Sequence, residues 1–344
     1  MGLSSYGEDL NYEPLFIDDV PLAHKFVSSD AGLNSVVHFA DCTELVEKNL
    51  TPDNYQFYAN KAKQVQLQTQ EVAINLISKY VQQTGIKNVC VVGGYGLNVV
   101  ANQYYKKNLP DVNFYFEPVA DDTGVPIGAA MIKYKLETGE YCEPLKDNFY
   151  HYYDVADRKK KVKDARESSI EEVCDLLINQ KCVAIFEGNP EAGPRALGHR
   201  SILFDSRNPN AKEIVNRVKN REWYRPFAGT ILESEFPKYF DNLDLIQSPH
   251  MTINFDAKEH TKQFVPGIIH VDGTCRIQTV NDGFFFELLQ LFYKKTGCPM
   301  LLNTSFNLAG KPLVQNKLDA AQTFKHSALD AVYFVEDNKI LTKS

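Results

Sequence analysis

The chain has 344 residues, with 37 basic against 44 acidic side chains for a formal net charge of −7, and it is 44% apolar and 24% charged. This composition is ordinary for a soluble globular protein and excludes a disordered tail or a coiled coil. The acidity excludes a global basic field for nucleic acid but leaves room for a local cationic pocket. No apolar run approaches the ~18 residues of a membrane span, the first thirty residues hold no secretion signal, and at roughly 150 residues per domain the length predicts two domains.

In chain order, residues 60–83 carry helical periodicity. Ala62, Val65, Val72, Leu76 and Tyr80 fall on one stripe with Gln and Lys opposite, and Gly85 stops the helix. The run Val89-Cys90-Val91-Val92 is continuously apolar and predicts a strand buried on both faces. It breaks into Gly93-Gly94-Tyr95-Gly96, and a helical pattern starts at Leu97. A strand at 113–116, the turn Asp121-Asp122-Thr123-Gly124 and a helix over 125–136 follow. This α-β-α-β-α order predicts a parallel or mixed α/β sheet with crossover helices.

The charge run Arg158–Lys163 reads as a solvated linker. The expected division is therefore 1–150, a linker over 151–166, and 167–344. Ser169-Ile170-Glu171-Glu172 reads as a capping box for a helix through Gln180. A strand at 182–186 and helices near 211–219, 283–295 and 317–327 predict an α+β or mixed α/β second half. The seven cysteines are odd in number and never close together. They predict reduced thiols used as core residues in a cytoplasmic compartment, and their spacing does not support a zinc cluster. No histidine pair has helical metal-site spacing and no nucleophile elbow is present, so covalent nucleophilic catalysis is unsupported.

Five strings carry chemistry. Gly93-Gly94-Tyr95-Gly96-Leu97-Asn98 is either a plain tight turn or a strand-to-helix junction offering N–H groups to a phosphate, with Asn98 able to bond a sugar or base. Asp121-Asp122-Thr123-Gly124 is either an Asx turn or a carboxylate for a divalent metal. Residues 187–201 form a Gly/Pro-fixed loop holding Arg195 and Arg200, whose forks suit phosphate. Residues 216–227 interleave four basic residues with Trp223 and Tyr224, which fits a nucleic-acid face, a solvated helix face or the edge of a nucleotide pocket. The chain's acidity favours the pocket over nucleic acid. Last come His270–Gln278 and Leu301–Asn307; the second puts short polar side chains after an apolar strand, suited to a small planar group or a phosphate oxygen, although each taken singly reads as a turn rather than a site.

Together the strings EAGPRALGHRS, VKNREWYRPFA, SPHM, HVDGTCRIQTV and TGCPMLLNTSFNLAGKPLV, with GGYGLN and ADDTGVPIGAA ahead of them, resemble the O-carbamoyltransferase family of the NodU/CmcH type over nearly the whole chain. The resemblance implies an α/β architecture: a partial sugar-kinase/actin-like domain followed by a YrdC/Sua-like domain. It implies an ATP-dependent carbamoyltransferase. Carbamoyl phosphate and ATP would give carbamoyl-adenylate, and the carbamoyl group would pass to an acceptor hydroxyl. By position it assigns Arg195, Lys219, Arg225, Arg276 and Ser305 to catalysis. It assigns Asn303, Arg200, Gly93, Gly94 and Asn98 to substrate and nucleotide, and Asp122 to a divalent metal, iron or magnesium. The start at Met1-Gly2-Leu3-Ser4-Ser5-Tyr6-Gly7 is similar to an internal family segment. Either a separate chain then supplies the rest of the actin-like domain with its metal-binding histidine pair or this is a truncated product; the edge left without that half is expected to expose sheet or apolar surface, and the chain to form a homo-oligomer or need a partner. Departures are Gly229, where the family usually has proline, and Lys311, where an acid is common. The alternatives are a threonylcarbamoyl-adenylate-type enzyme and a non-catalytic fragment that docks to a partner.

Overall fold

The computed structural model describes residues 1–22, 26–28, 37–39, 50–51, 53–143, 150 and 162–343. Most of the expected linker, 151–161, lies outside them. The chain divides into two compact units, one of residues 1–89 and 108–113, the other of 90–107 and 114–344. These are not the sequence-based divisions at 150 and 166.

In the first unit, β1 (Phe16–Ile17) pairs antiparallel with β2 (Val20–Pro21), and β3 (Phe26–Ser28) with β4 (Val37–Phe39). The main element is α1 (Tyr55–Thr84), closed by Gly85 at φ 70, a left-handed cap that glycine adopts without strain. The predicted apolar stripe is not the face it buries. Leu76 and Tyr80 are exposed, whereas Gln64, Gln66 and Gln70 are buried with Ala59 and Ile74. The reason is hydrogen bonding. Gln64 Nε2 and Gln68 Nε2 donate to Glu13 O at 2.8 and 2.9 Å, and Gln68 Oε1 accepts from Leu15 N at 2.6 Å. A satisfied amide can be buried; an unsatisfied one cannot.

Next come β5 (Asn88–Val91), α2 (Val99–Asn108) and β6 (Asn113–Phe116). Asn113 N donates to Lys87 O and Glu117 N to Val91 O. The offset is constant, so β5 and β6 run parallel with α2 as the crossover. They form a two-stranded sheet. The prediction of a doubly buried strand fails here, because two strands enclose neither face: β5 alternates exposed and intermediate residues, and Cys90 is exposed. The following helix, α3 (Val125–Thr138), buries none of its residues, and Leu136 is 78% exposed.

The rest of the second unit is built on nine strands: β7 (Arg166–Glu167), β8 (Val183–Phe186), β9 (Arg200–Phe204), β10 (Ala228–Leu232), β11 (Asn254–Asp256), β12 (Thr274–Val280), β13 (Met300–Ser305), β14 (Ala331–Phe334) and β15 (Lys339–Thr342). Their order is β11-β12-β10-β13-β9-β8-β14-β15-β7. The pairs β10·β12 and β8·β14 are parallel and the others antiparallel, so this is a mixed α/β sheet. The helices are α4 (Ile170–Ile178), α5 (Ala211–Lys219), α6 (Phe236–Tyr239), α7 (Glu259–Phe264), α8 (Gly283–Thr296) and α9 (Lys317–Lys325). Ser169 stands at the head of α4 but its side chain makes no cap bond; a complete capping box is found instead at Asn316 and Asp319, ahead of α9. Strands β8, β9 and β10 are buried at every position. They are covered by α4 through Val173, Cys174 and Leu177 and by α8 through Phe285, Leu288, Leu289 and Phe292. Cys174, Cys182, Cys275 and Cys298 are free and buried in that core; Cys42 lies outside the described residues.

Gly229 owes its identity to packing. A Cβ there would lie 2.6 Å from Ile268 Cδ1 and 3.1 Å from Ile277 Cδ1. Overfilling such a site costs about 1–3 kcal/mol. Gly229→Val is expected to lower the melting temperature by several degrees in a thermal scan. An unchanged transition would mean that the two isoleucines yield freely.

Candidate functional site

One face of the mixed sheet is unusually polar. Asn254, Arg276, Ala228 and Asn303 stand in one row across β11, β12, β10 and β13. Paired residues share a face and the pleat repeats every second residue. Gln278, Thr230 and Ser305 therefore share it too, and Ser305 is paired with Ser201 on β9. Asn303 is fully buried, its Nδ2 donating to Thr230 Oγ1 (3.0 Å), Gln278 Oε1 (3.1 Å) and Ala196 O (3.2 Å). Gln278 Nε2 donates to Leu197 O at 2.8 Å. This network ties the loop between β8 and β9 down onto the sheet.

That loop is braced from within. The guanidinium of Arg200 is buried and stacks 3.6 Å above the Phe186 ring. Its five donors bond the carbonyls of Val314, Glu187, His199, Gly188 and Gln315. The expectation that Arg200 grips a nucleotide is corrected on this point: every N–H it owns is already spent on backbone. Glu191, also buried, accepts from the N–H groups of Leu197, His199 and Arg200 through Oε1. Gly198 sits at φ 124 with Phe285 2.9 Å from where a Cβ would be, so the loop passes where only glycine fits. The outcome is a fixed Arg195, which donates to Leu97 O at 3.0 Å and keeps its Nε buried and unpartnered.

Around Arg195 the cations gather. Arg276 on β12 has a buried Nε without a partner, and its basicity is depressed by burial and by the charges of Arg195 and Arg221. Arg221 bonds Asn216 Oδ1 (2.6 Å) and Pro226 O (3.1 Å) and lies over Phe227. Burial, then Arg225, brings its pKa down to about 10. Arg225 is half-exposed and pairs with Glu222 at 2.7 Å. Lys219, the last residue of α5, is 3% exposed. Its Nζ is surrounded by Ser305 O, Ser305 Oγ (3.2 Å), Asn307 O (3.0 Å) and Asn307 Oδ1 (2.9 Å). Burial and the charges of Arg221 and Arg225 pull its pKa to about 7; the four oxygens favour the ammonium and act in the opposite sense.

Of the residues singled out in the sequence, Arg195, Lys219, Arg225, Arg276 and Ser305 thus fall into one linked cluster. Arg221 joins it. It was left out although it stands two positions after Lys219 in the same basic string. Asn303 lies beneath the cluster as a loop tether. Gly93 and Gly94 lie exposed in a turn, Gly93 at φ 82. Asn98 Oδ1 accepts from Ala101 N at the head of α2. That turn meets the cluster through Leu97, the residue Arg195 holds. Asp122 is exposed, and Asp121 Oδ1 accepts from Thr123 N at 3.2 Å, the Asx-turn geometry. Among the described residues no three His, Cys, Asp or Glu side chains come together as metal ligands. No described helix is long and apolar enough to cross a membrane.

Comparison with known proteins adds to this geometry. The family model "Carbamoyltransferase C-terminus" matches residues 174–342, and "Carbamoyltransferase N-terminus" matches 31–131. The chain is 30% identical to an uncharacterized protein of Synechocystis (100% of this chain, 63% of that protein), and 30% identical to nodulation protein NolO of Bradyrhizobium diazoefficiens (96% and 63%). It is 34% identical to nodulation protein U of Rhizobium fredii (66% and 39%). It therefore spans less than two thirds of the length of these relatives. A solved structure of full-length HypF, in phosphate- and nucleotide-bound form, aligns over 51% of this chain and 25% of its own at 18% identity, with a TM-score of 0.38. With both family regions matched along one chain, this protein belongs to the carbamoyltransferase family.

Proposed function

We propose that this chain binds ATP and carbamoyl phosphate at the cation cluster and joins them as carbamoyl-adenylate, for transfer of the carbamoyl group to a hydroxyl-bearing acceptor. One observation carries the reading: the Nε atoms of Arg195 and Arg276 are buried without a hydrogen-bond partner, in a cluster where Arg276 feels the charges of Arg195 and Arg221 and buried Lys219 those of Arg221 and Arg225. Such a cluster is electrostatically incomplete without a polyanion, and a triphosphate with an acyl phosphate supplies the charge.

Hydrolysis of carbamoyl phosphate gives carbamate and phosphate. A carbamate oxygen then attacks the α-phosphorus, the bond to the β-bridging oxygen breaks, and pyrophosphate leaves. Arg195, Arg221 and Arg276 neutralise the triphosphate and the departing pyrophosphate; Lys219 and Ser305 hold oxygens of the reacting groups. The acceptor hydroxyl attacks the carbamoyl carbon, loses its proton, and AMP leaves. The test is carbamoyl-phosphate-dependent exchange of labelled pyrophosphate into ATP. Lys219→Ala and Arg225→Ala are each expected to lose about 100-fold, the scale of removing one charge-stabilising donor. Undiminished exchange in both overturns the assignment.

A further inference from the structure

The loop that carries Arg195 is shaped around a single carboxylate oxygen. Glu191 is 2% exposed, and its Oε1 gathers the N–H groups of Leu197 (2.7 Å), His199 (3.0 Å) and Arg200 (3.2 Å). Three backbone donors converging on one oxygen make an intramolecular anion nest, and they fold the segment C-terminal to Arg195 into one conformation. From the other side the carbonyls of Ala196 and Leu197 are held by Asn303 and Gln278. The peptide units next to Arg195 are thus gripped at N–H and C=O together. Glu191 makes no bond to Arg195 itself.

We infer that Glu191 is a positioning residue: it sets the backbone that presents Arg195 to the cation cluster, and touches neither nucleotide nor carbamoyl group. The logic is geometric. Arg195 lies four residues past Glu191 and immediately before the gripped segment, so its Cα direction follows from that segment's fold. Its long side chain magnifies any small rotation of the backbone, and a displacement on the scale of an ångström is enough to cost a catalytic group most of its effect. The inference rests on the reading of Arg195 as a phosphate contact, and its two tests separate the two claims.

The first test is a double-mutant cycle on pyrophosphate exchange. Arg195→Ala is expected to lose about 100-fold. Glu191→Met, which keeps volume but offers no oxygen acceptor, is expected to lose at least 10-fold. The double variant should lose no more than Arg195→Ala alone, because an arginine that is absent cannot be mispositioned. Glu191→Gln, which retains an acceptor oxygen, should recover exchange to within about 3-fold of the parent. Multiplying losses in the double variant, or no recovery by glutamine, overturns the inference. If Arg195→Ala leaves exchange intact, the phosphate-contact reading has failed instead.

The second test needs no activity. Amide hydrogen exchange in the unmutated chain should show Leu197, His199 and Arg200 protected, and Glu191→Met should speed exchange of the 195–200 peptide at least 10-fold. Unprotected amides in the parent, or equal rates in the two proteins, would overturn the positioning role whatever the site binds.

Discussion

Replacing Arg276 with leucine is expected to raise the melting temperature of the ligand-free chain and to abolish its stabilisation by ATP. Arg276 stands on β12 between Asn254 and Ala228, with a buried, unpartnered Nε and the charges of Arg195 and Arg221 upon it. A buried donor left without an acceptor costs about 1–3 kcal/mol. Removing it, together with the like-charge repulsion, relieves strain that serves no purpose in the empty fold. Leucine has the volume to fill the row, so no large cavity follows. For a unit of this size the gain corresponds to several degrees. The parent at 100 times Kd should gain about 2.7 kcal/mol from ATP, and Arg276→Leu essentially none. A lower melting temperature with the ATP response retained would mean that Arg276 is structural.

A second large effect concerns protons. Lys219 has a pKa near 7 in the folded chain against an ordinary 10.5. Between those values the unfolded chain holds the proton and the native chain does not, so this group's contribution to stability rises as pH climbs from about 7 towards 10.5. Below pH 7 both states are protonated and the full cost of the buried ammonium is present. A polyanion inverts the balance by offering the ammonium an opposite charge, and the pKa climbs back. Binding of ATP at pH 8 is therefore expected to take up close to one proton, and at pH 6 almost none. Calorimetry in two buffers of different ionisation enthalpy reads this directly, and Lys219→Met should abolish it. The absence of uptake at pH 8 would remove Lys219 from contact with the anion.

Sequence patterning located some parts of this protein well and failed on others for identifiable reasons. The helix at 211–219 was legible because its apolar and charged residues separate cleanly at helical spacing. The cations of the cluster were legible because arginine and lysine recur inside short, aromatic- and glycine-rich strings, where a solvated face would not need them. Arg200 looked the same in sequence as Arg195, only five positions away. What separates them is that the carbonyls of Val314 and Gln315, more than a hundred residues away, converge on Arg200 with those of Glu187, Gly188 and His199, which is a property of strand register and loop closure rather than of local pattern. Asn303 was read as a ligand contact for the same reason: its partners Thr230 and Gln278 come from strands far away in the chain. The stripe assigned to α1 failed because hydropathy treats glutamine as outward-facing, yet carbonyls such as Glu13 O turn Gln64 and Gln68 into packing residues.

The strand order also constrains the way this protein is made. β8 lies between β9, which follows it closely, and β14, which begins nearly 150 residues later at Ala331. During synthesis the β9 edge can be filled early, while the opposite edge of β8 stays open until residues 331–334 have left the ribosome. Pairing over such separations is slow, and an uncovered apolar strand is an invitation to aggregate in the meantime. Without β14 a strand that is buried at every position would face solvent, so this late-paired strand is the keystone of maturation for a cation cluster whose residues all precede it.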